Sequence, residues 1–211
     1  VTVLPTPAGY SSEATGVNSA GHVVGEINGP AGRQAALWVN NAGVYTRHAL
    51  PTLPDMTGSW ANDINDSNWI AGAYDTATAR RGFYYTPSPS LTAGSMHQIP
   101  NPGAATFENL YARRISDAGW VAGSFSPRDM PDSTFGECRA FRYDAANQTA
   151  FAEIGVLDDG YRSYGRDVDD IGRTVGVNVA PNAGFYYDGG VITEIPSPYQ
   201  AVGTTDPGGH A

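Results

Sequence analysis

The sequence contains no lysine, and arginine alone supplies its basic charge. Asp and Glu together number 21 against 12 basic residues, which gives a formal net charge of −9. A surface this acidic repels phosphate backbones and anionic lipid headgroups. Nucleic acid and membrane surfaces are therefore not expected as partners.

Cysteine is almost absent too, since Cys138 is the only one and no disulfide can form within the chain. Its thiol is either a small buried hydrophobe, which we expect, or a site for an intermolecular link. No apolar run is long enough to cross a bilayer, so no membrane insertion is predicted. The chain opens at Val1 without an initiator methionine or an apolar leader, which predicts that a signal peptide has been removed.

A long helical period is also missing. The 26 glycines and 15 prolines among 211 residues suit short strands joined by tight turns. This length is normal for a single all-β domain. We therefore predict an all-β fold and one domain over residues 1–211.

What the chain does contain is a twelve-residue pattern that occurs four times. The copies begin near residues 14, 61, 112 and 165 and read ATGVNSAGHVVG, ANDINDSNWIAG, ARRISDAGWVAG and GRDVDDIGRTVG. Residues 201–211, AVGTTDPGGHA, match the start of a partial fifth copy. Self-similarity at a period near 50 residues is typical of a repeat protein.

Each repeat is predicted to contain four strands, of which the first two form a hairpin. Its polar turn reads NSAG, NDSN, SDAG or DDIG, and the last residue, Gly or Asn68, is expected to take a positive φ. The second strand carries a glycine at one fixed place, which indicates a bulge or a close approach between backbones, with crowding between neighbouring sheets as the expected cause. These glycines are Gly25, Gly72, Gly123 and Gly176.

The third strand carries aromatic residues two places apart, such as Phe83 and Tyr85, which are predicted to share one face. The fourth strand ends in Pro or Gly, and the opening VTVLP matches its pattern. Four strands per unit predict a β-propeller-like array of about four four-stranded blades. Read in the order fourth, first, second, third, the chain forms four blades and leaves VITEIP and the tail over. These remaining strands would close the ring, begin a fifth blade or pair with another subunit.

The motif A-x-x-I-N-x-x-G-x-V-V-G, followed by an R-A-F-x-Y segment, resembles the bacterial extracellular HAF-repeat proteins. The residues that carry it are Ala14, Val17, Asn18, Gly21, Val24 and Gly25, then Ala61, Ile64, Asn65 and Gly72, and then Ala112, Ile115, Gly119 and Gly123 with Arg139 to Tyr143. The resemblance covers nearly the whole chain. It implies an exported or cell-surface protein with a propeller-like fold, and it supplies no catalytic residues.

The acidic stretch DVDDIG suggests calcium, because Asp167, Asp169 and Gly172 match part of a calcium-binding loop. Ile171 and Asn178 stand where two of the ligands belong. Since the stretch coincides with the hairpin turn of every repeat, we predict turn chemistry here and no metal. No cofactor is predicted either.

Catalytic signatures are sparse. His48 and His97 share the fourth-strand position, which indicates a repeated structural position rather than a zinc pair. No G-x-S-x-G elbow occurs. Carboxylate pairs for glycoside hydrolysis leave no spacing in a sequence, and Asp63, Asp167 and Glu108 are the possible members.

Aromatic residues precede three of the first strands, namely Trp60, Tyr111 and Tyr164, while Glu13 takes this place in the first copy. Such residues either stack on sugar rings or wedge between blades, and we expect the second. The charged residues beside them would meet in a central channel as neutralising pairs if the first strands line it. They are Asn62, Arg113 and Arg166, followed by Asp63, Arg114 and Asp167.

We predict a secreted or cell-surface, non-catalytic β-repeat module with a structural or binding role. One form of this hypothesis is self-assembly into a fibre or surface layer by strand addition. The strand ends concerned are Val1, Val3, Leu4, Val191, Ile192 and Ile195. The alternatives are a carbohydrate-binding module that uses Trp60, Tyr111 and Tyr164, and a polysaccharide-acting hydrolase or lyase. The expected partners are copies of the chain or a glycan.

Overall fold

The structure is a computed structural model that describes residues 2–89, 91–100, 107–127, 138–149, 151–157, 160, 162–179 and 182–195. Every regular element that it assigns in these ranges is a β-strand, which confirms the all-β prediction. Among the same residues, no helix is long and apolar enough to cross a bilayer.

The strands form four antiparallel sheets of four strands each, and each sheet is one stretch of the chain. Sheet 1 contains β1 (Ser11–Val17), β2 (Val23–Gly29), β3 (Gly32–Asn41) and β4 (Val44–Ala49); sheet 2 contains β5 (Gly58–Ile64), β6 (Ile70–Asp75), β7 (Arg80–Thr86) and β8 (Ser95–Gln98); sheet 3 contains β9 (Phe107–Ile115), β10 (Trp120–Pro127), β11 (Arg139–Asp144) and β12 (Phe151–Gly155); and sheet 4 contains β13 (Arg162–Val168), β14 (Thr174–Val179), β15 (Ala183–Asp188) and β16 (Val191–Ile195). Neighbouring strands in space are neighbours in sequence, so every repeat is a simple meander.

This strand order corrects the predicted phase of the repeats. The segment VITEIP is not left over, because Val191–Ile195 pairs with β15 as the fourth strand of sheet 4. Residues 2–10 contain no strand, although VTVLP has the pattern of one. The opening segment instead lies against sheet 1, where the Pro5 carbonyl accepts a hydrogen bond from the Trp38 indole at 2.9 Å.

Successive sheets pack face to face. The second and third strands of one sheet contact the first strand of the next sheet, so that β2 and β3 pack on β5, β6 and β7 on β9, and β10 and β11 on β13. The first strands β1, β5, β9 and β13 lie beside one another in series. We call the face that a sheet turns to the preceding sheet its leading face, and the opposite one its trailing face.

Aromatic side chains of the third strands fill the leading faces. Phe83 and Tyr85 are buried together against Val24 and Leu37 of sheet 1. Phe141 with Tyr143, and Phe185 with Tyr187, repeat this arrangement against sheets 2 and 3. The prediction that each pair shares one face is confirmed.

The glycine of each second strand sits opposite a bulge in the first strand. Gly25 pairs with Ala14 and the next pair is Val24 with Gly16, so one residue of β1 is left without a partner. The same slip occurs in the other three sheets. A Cβ atom on Gly25 would overlap the Glu13 carbonyl oxygen, and one on Gly72 would overlap that of Trp60. The predicted bulge is confirmed, but its crowding comes from the first strand of the same sheet rather than from a neighbouring sheet.

Crowding between sheets does occur at other glycines, of which Gly165 is an example. Gly165 replaces the alanine that begins the other three copies, and a Cβ atom there would lie 2.6 Å from the Gly123 carbonyl oxygen of sheet 3. The missing methyl group therefore lets β13 approach the second strand of sheet 3. The turn predictions are confirmed as well, because Gly21, Gly119 and Gly172 have φ between 75° and 87° and Asn68 has φ 63°.

The bulge makes a direct prediction for Gly72→Ala. The added methyl group would meet the Trp60 carbonyl and the Phe83 ring, so we expect the free energy of unfolding to fall by about 3 kcal/mol, as for severe overpacking. Gly184→Ala is the matched control, because its Cβ would make only ordinary contact, 3.4 Å from Ile195. Urea unfolding of both variants measures the difference. Equal stability of the two variants would contradict a steric role for the bulge.

Candidate functional site

The hairpin turns of all four repeats surround one shared depression of about 450 Å³. Each repeat contributes the same three positions to its wall, namely residues 17–19, 64–66, 115–117 and 168–170. The repeated acidic turns are therefore neighbours in space. Equivalent residues of the four repeats therefore meet in this depression.

Acidic side chains link each turn to the one before it. The Ser19 amide donates to Asp66 Oδ1 at 2.8 Å, and the Asp66 amide donates to Asp117 Oδ1 at 2.8 Å. The Ala118 amide donates to Asp170 Oδ1 at 2.9 Å. We call these three hydrogen bonds the turn ladder. The bond from Ser19 lowers the pKa of Asp66, because it stabilises the charged carboxylate.

Asparagine at the first turn position makes a second set of links. Asn18 Nδ2 donates to the Asn65 carbonyl at 3.1 Å, and Asn65 Nδ2 donates to the Ser116 carbonyl at 2.7 Å. The side-chain oxygen of each asparagine also closes its own turn, by accepting from the amides of His22 and Trp69. Asparagine suits this position because it uses a donor and an acceptor at once.

The fourth turn uses its acids in the same structural way. Asp169 accepts from the amides of Ile171 and Arg173 and forms an ion pair with the Arg173 guanidinium. These are the contacts of a turn, as the sequence predicts for DVDDIG. Among the residues that the structure describes, no group of three His, Cys, Asp or Glu side chains is arranged to hold a metal ion.

A second polar group follows the bulge in the first strands, at the position shared by Gly16, Asp63, Arg114 and Asp167. Asp63 Oδ2 accepts a hydrogen bond from the Ile115 amide at 3.0 Å. Burial raises the pKa of Asp63, and the negative charge of Asp167 raises it further. The hydrogen bond from Ile115 and the positive charge of Arg114 lower this pKa, but by less. Asp63 therefore lies within electrostatic reach of Arg114 and of the like charge of Asp167, and neutralising pairs in a central channel stay a prediction.

Beside this group lies an open cleft of about 640 Å³ on the side of sheet 1. Asp63 and Arg114 form its polar wall, while Leu4, Val17 and Tyr45 belong to its apolar wall. Sequence reasoning did not find Tyr45, which does not recur in the other repeats, and it named Leu4 as a strand end rather than as part of a cleft. Only the three-dimensional position of residues 2–10 brings Leu4 to this place.

The predicted aromatic binding residues lie between sheets. Trp60 is only 8% exposed, and the guanidinium groups of Arg33 and Arg80 lie 4.8 and 4.7 Å from the centre of its ring. Arg80 also stacks on Tyr111 and donates to its hydroxyl group. Tyr164 is half-buried, with Arg166 over its ring at 5.9 Å. Sugar stacking by these residues stays a prediction, and the burial of Trp60 counts against it.

The remaining candidates take structural positions. His97 stacks on Tyr84 with 4.8 Å between ring centres, and His48 occupies the equivalent place in β4. Cys138 is buried, which confirms the expectation for its thiol. The side chain of Glu108 lies outside the described residues, as do Val1 and residues 201–211.

The two ends of the stack differ from its interior. Val17 on the leading face of sheet 1 is 64% exposed, whereas its counterparts Ile64, Ile115 and Val168 are 4, 6 and 8% exposed. Val175 on the trailing face of sheet 4 is 38% exposed, whereas its counterparts Val24, Ala71 and Ala122 are fully buried. Positions that are covered at each internal interface are thus open at both ends.

Residues 2–10 cover part of the leading end. Leu4 and Tyr10 pack with Val23 and Tyr45 against the buried group of Ile27, Ala36 and Trp38. On the trailing face of sheet 4, Val191 and Ile195 are exposed together with Val175. Val3, another predicted strand end, is also exposed, while Ile192 packs into the leading face of sheet 4.

Comparison with known proteins gives no family assignment, since neither a protein-family model nor a curated protein matches this chain. The resemblance to HAF-repeat proteins therefore depends on the quoted motifs alone.

The burial of Asp63 predicts an unusual pH dependence for Asp63→Asn. A carboxyl group whose pKa is raised on folding destabilises the protein as the pH rises above its ordinary value, here 3.8. We expect the variant to have a higher Tm than the parent at neutral pH, because the amide oxygen still accepts from Ile115 without a buried charge. This advantage should disappear below about pH 3.8.

Asp66→Asn is the matched control, since the pKa of Asp66 is lowered and its charged form stabilises the fold. It should lower the Tm at neutral pH, and its effect should shrink in acid. Thermal unfolding at pH values from neutral to below 3.8 gives the Tm of both variants as a function of pH. A lower Tm for Asp63→Asn at neutral pH would mean that attraction to Arg114 outweighs the burial of Asp63.

Trp60→Ala tests whether the aromatic position is structural. Removing a ring buried between two guanidinium groups should lower the free energy of unfolding by about 3–5 kcal/mol, measured by urea unfolding. A loss below about 1 kcal/mol, combined with lost glycan binding, would instead identify Trp60 as a binding residue.

Proposed function

We propose that this chain is a non-catalytic β-repeat module of a secreted or cell-surface protein, with a structural or binding role and a propeller-like arrangement of its sheets. The serial packing of the first strands supports the arrangement, together with the single depression that all four turns surround. The module acts through the trailing face of sheet 4, which binds a further sheet of the same kind.

The observation that carries this proposal is the exposure of repeat-equivalent apolar positions. Val24, Ala71 and Ala122 are buried because each faces the next sheet, whereas Val175 has no following sheet among the described residues. Exposed apolar surface of this kind, when it continues an interface used elsewhere in the molecule, marks an interaction site. The interior contacts also specify the partner, which must present an apolar first strand.

The alternatives have less support. Carbohydrate binding through Trp60, Tyr111 and Tyr164 requires rings that the arginines leave open, and Trp60 is covered. A hydrolase or lyase would draw on the neighbouring carboxylates Asp63 and Asp167, but the Ile115 amide and the charge of Arg114 already engage Asp63. Both alternatives lack a repeated group that the packing does not already explain.

The proposal predicts that the trailing face of sheet 4 is covered in solution. The test introduces one thiol, by Val175→Cys or by Val44→Cys, in a Cys138→Ala background. The thiol at position 175 should react with a maleimide at least about ten-fold more slowly than the thiol at position 44. This ratio corresponds to a local opening that costs about 1.4 kcal/mol and limits the exposure of the covered thiol. The difference in exposure in the described structure accounts for a factor of only about two. Equal reaction rates at every protein concentration would show an uncovered face and overturn the proposal.

A further inference from the structure

We propose that the cleft beside Asp63 binds a small zwitterion with an apolar body, of the kind represented by a free aromatic amino acid. The ammonium group of this ligand pairs with Asp63, its carboxylate pairs with Arg114, and its ring lies on the apolar wall. The site is separate from the trailing face of sheet 4, so the inference goes beyond the proposed function and does not depend on it.

The first observation is the size and position of the cleft. Its volume of about 640 Å³ lies within the range of about 300–1,000 Å³ that is typical of small-molecule pockets. The cleft crosses three first strands that lie in series, from β1 over Asp63 of β5 to Arg114 of β9. At the repeat position that Asp63 and Arg114 share, β1 contributes Gly16 to the lining. The cleft thus opens where sheet 1 has no charged side chain.

The second observation is the presence of two opposite charges on one wall. Asp63 and Arg114 both line the cleft, and the positive charge of Arg114 acts on the carboxyl group of Asp63. None of the ion pairs among the described residues joins these two side chains, however. A ligand that carries a cation and an anion on neighbouring atoms can bridge such a pair, whereas a ligand with one charge satisfies only one of the two groups.

Both groups have hydrogen-bonding capacity left for a ligand. Arg114 Nη1 donates to the Arg113 carbonyl at 3.2 Å, and this is the one hydrogen bond of that guanidinium group, which has five donors, among the described residues. Asp63 accepts from the amides of Ile115 and Ile64, whereas a carboxylate has about four acceptor sites. Because burial raises the pKa of Asp63, a bound ammonium group would also stabilise its charged form.

The apolar wall determines the body of the ligand. Leu4 and Tyr45 pack together with Val23, so this side of the cleft is held in place by sheet 1. Val17, which lines the same cleft, is 64% exposed. A flat aromatic ring on this wall would cover Val17 while its polar end reaches Asp63 and Arg114.

The neighbouring depression between the turns does not offer this combination. Its lining includes four acidic residues and no basic one, namely Asp66, Asp117, Asp169 and Asp170. A carboxylate would be repelled there. The cleft beside Asp63 is therefore the better site for a zwitterion.

The experiment measures the binding of three compounds to the full chain by isothermal titration calorimetry. They are L-phenylalanine, phenylpropionate, which lacks the ammonium group, and phenethylamine, which lacks the carboxylate. Phenylpropionate should bind about ten-fold more weakly than phenylalanine, because a charged hydrogen bond to the half-buried Asp63 is lost. Phenethylamine should bind up to about five-fold more weakly, because Arg114 is exposed and its ion pair is screened by water.

Three variants locate the binding site. Asp63→Asn should weaken phenylalanine binding about ten-fold without weakening phenylpropionate, and its expected higher Tm at neutral pH means that unfolding would not explain the loss. Val17→Ser should weaken all three compounds by a similar factor, because the wall contacts the ring of each. Asp188→Asn is the matched control, since it removes the same charge from sheet 4 and should leave all three affinities unchanged.

Two results would overturn the inference. One is the absence of binding by all three compounds at millimolar concentration. The other is equal affinity for phenylalanine and phenylpropionate that Asp63→Asn does not change, since the charged wall would then play no part. Neither result bears on the proposed function, which the labelling of Val175→Cys tests separately.

Discussion

Each sheet of this protein has two apolar faces, and the need to cover both of them determines how the repeats are arranged. A four-stranded sheet with one exposed apolar face is only marginally stable, so each repeat depends on its neighbours. The aromatic pairs of the third strands are the largest part of this burial, as in Phe83 with Tyr85. Their rings fill the space between sheets, and the bulged first strand of the same sheet packs against the preceding one.

The polar contacts act differently. The hydrogen bonds of the turn ladder lie at exposed turns, where water competes for both partners, whereas burying one large aromatic side chain contributes about 2–3 kcal/mol from area alone. The hydrogen bonds are directional, however, while apolar contact is not. Stacked sheets could slide along one another without losing much buried area, but Asp66 and Asp117 would then lose their amide donors. The ladder therefore fixes the register of a stack that apolar burial stabilises.

Much of this fold is predictable from the sequence because one sequence pattern occurs in four copies. The turn glycines, Asn68 in the left-handed region and the shared face of Phe141 with Tyr143 all follow from local rules that four copies repeat. The phase of the repeats was mispredicted, because VTVLP has the alternation of a fourth strand and pattern alone cannot tell a paired strand from a segment that covers a face. The structure separates them through Trp38, whose indole bonds to Pro5.

The links between turns were missed for a related reason. Asp and Asn in a turn are explained well enough by bonds to their own backbone, so Asp66 gave no local sign of a partner 47 residues away. The sign lies in the comparison of copies, since Ser19 alone departs from the acid at this position. Likewise, the cleft beside Asp63 contains Tyr45, which does not recur, and Leu4, which the repeat pattern assigns to a strand end, so the pattern does not indicate that the two meet.

Comparing sheet edges with sheet faces shows which of them distinguishes the ends of the stack. The strands β4, β8, β12 and β16 each lie at the end of their own sheet. The outer edge of β16 is thus equivalent to the outer edges of the other three sheets, and strand addition there would be no more specific to the end of the chain than to its middle. The faces are different, because only sheet 1 and sheet 4 present a face without a neighbouring sheet among the described residues. Recognition that depends on position in the array has to use the faces, and the two faces are unlike: the leading one is overlaid by residues 2–10, and the trailing one exposes Val175, Val191 and Ile195.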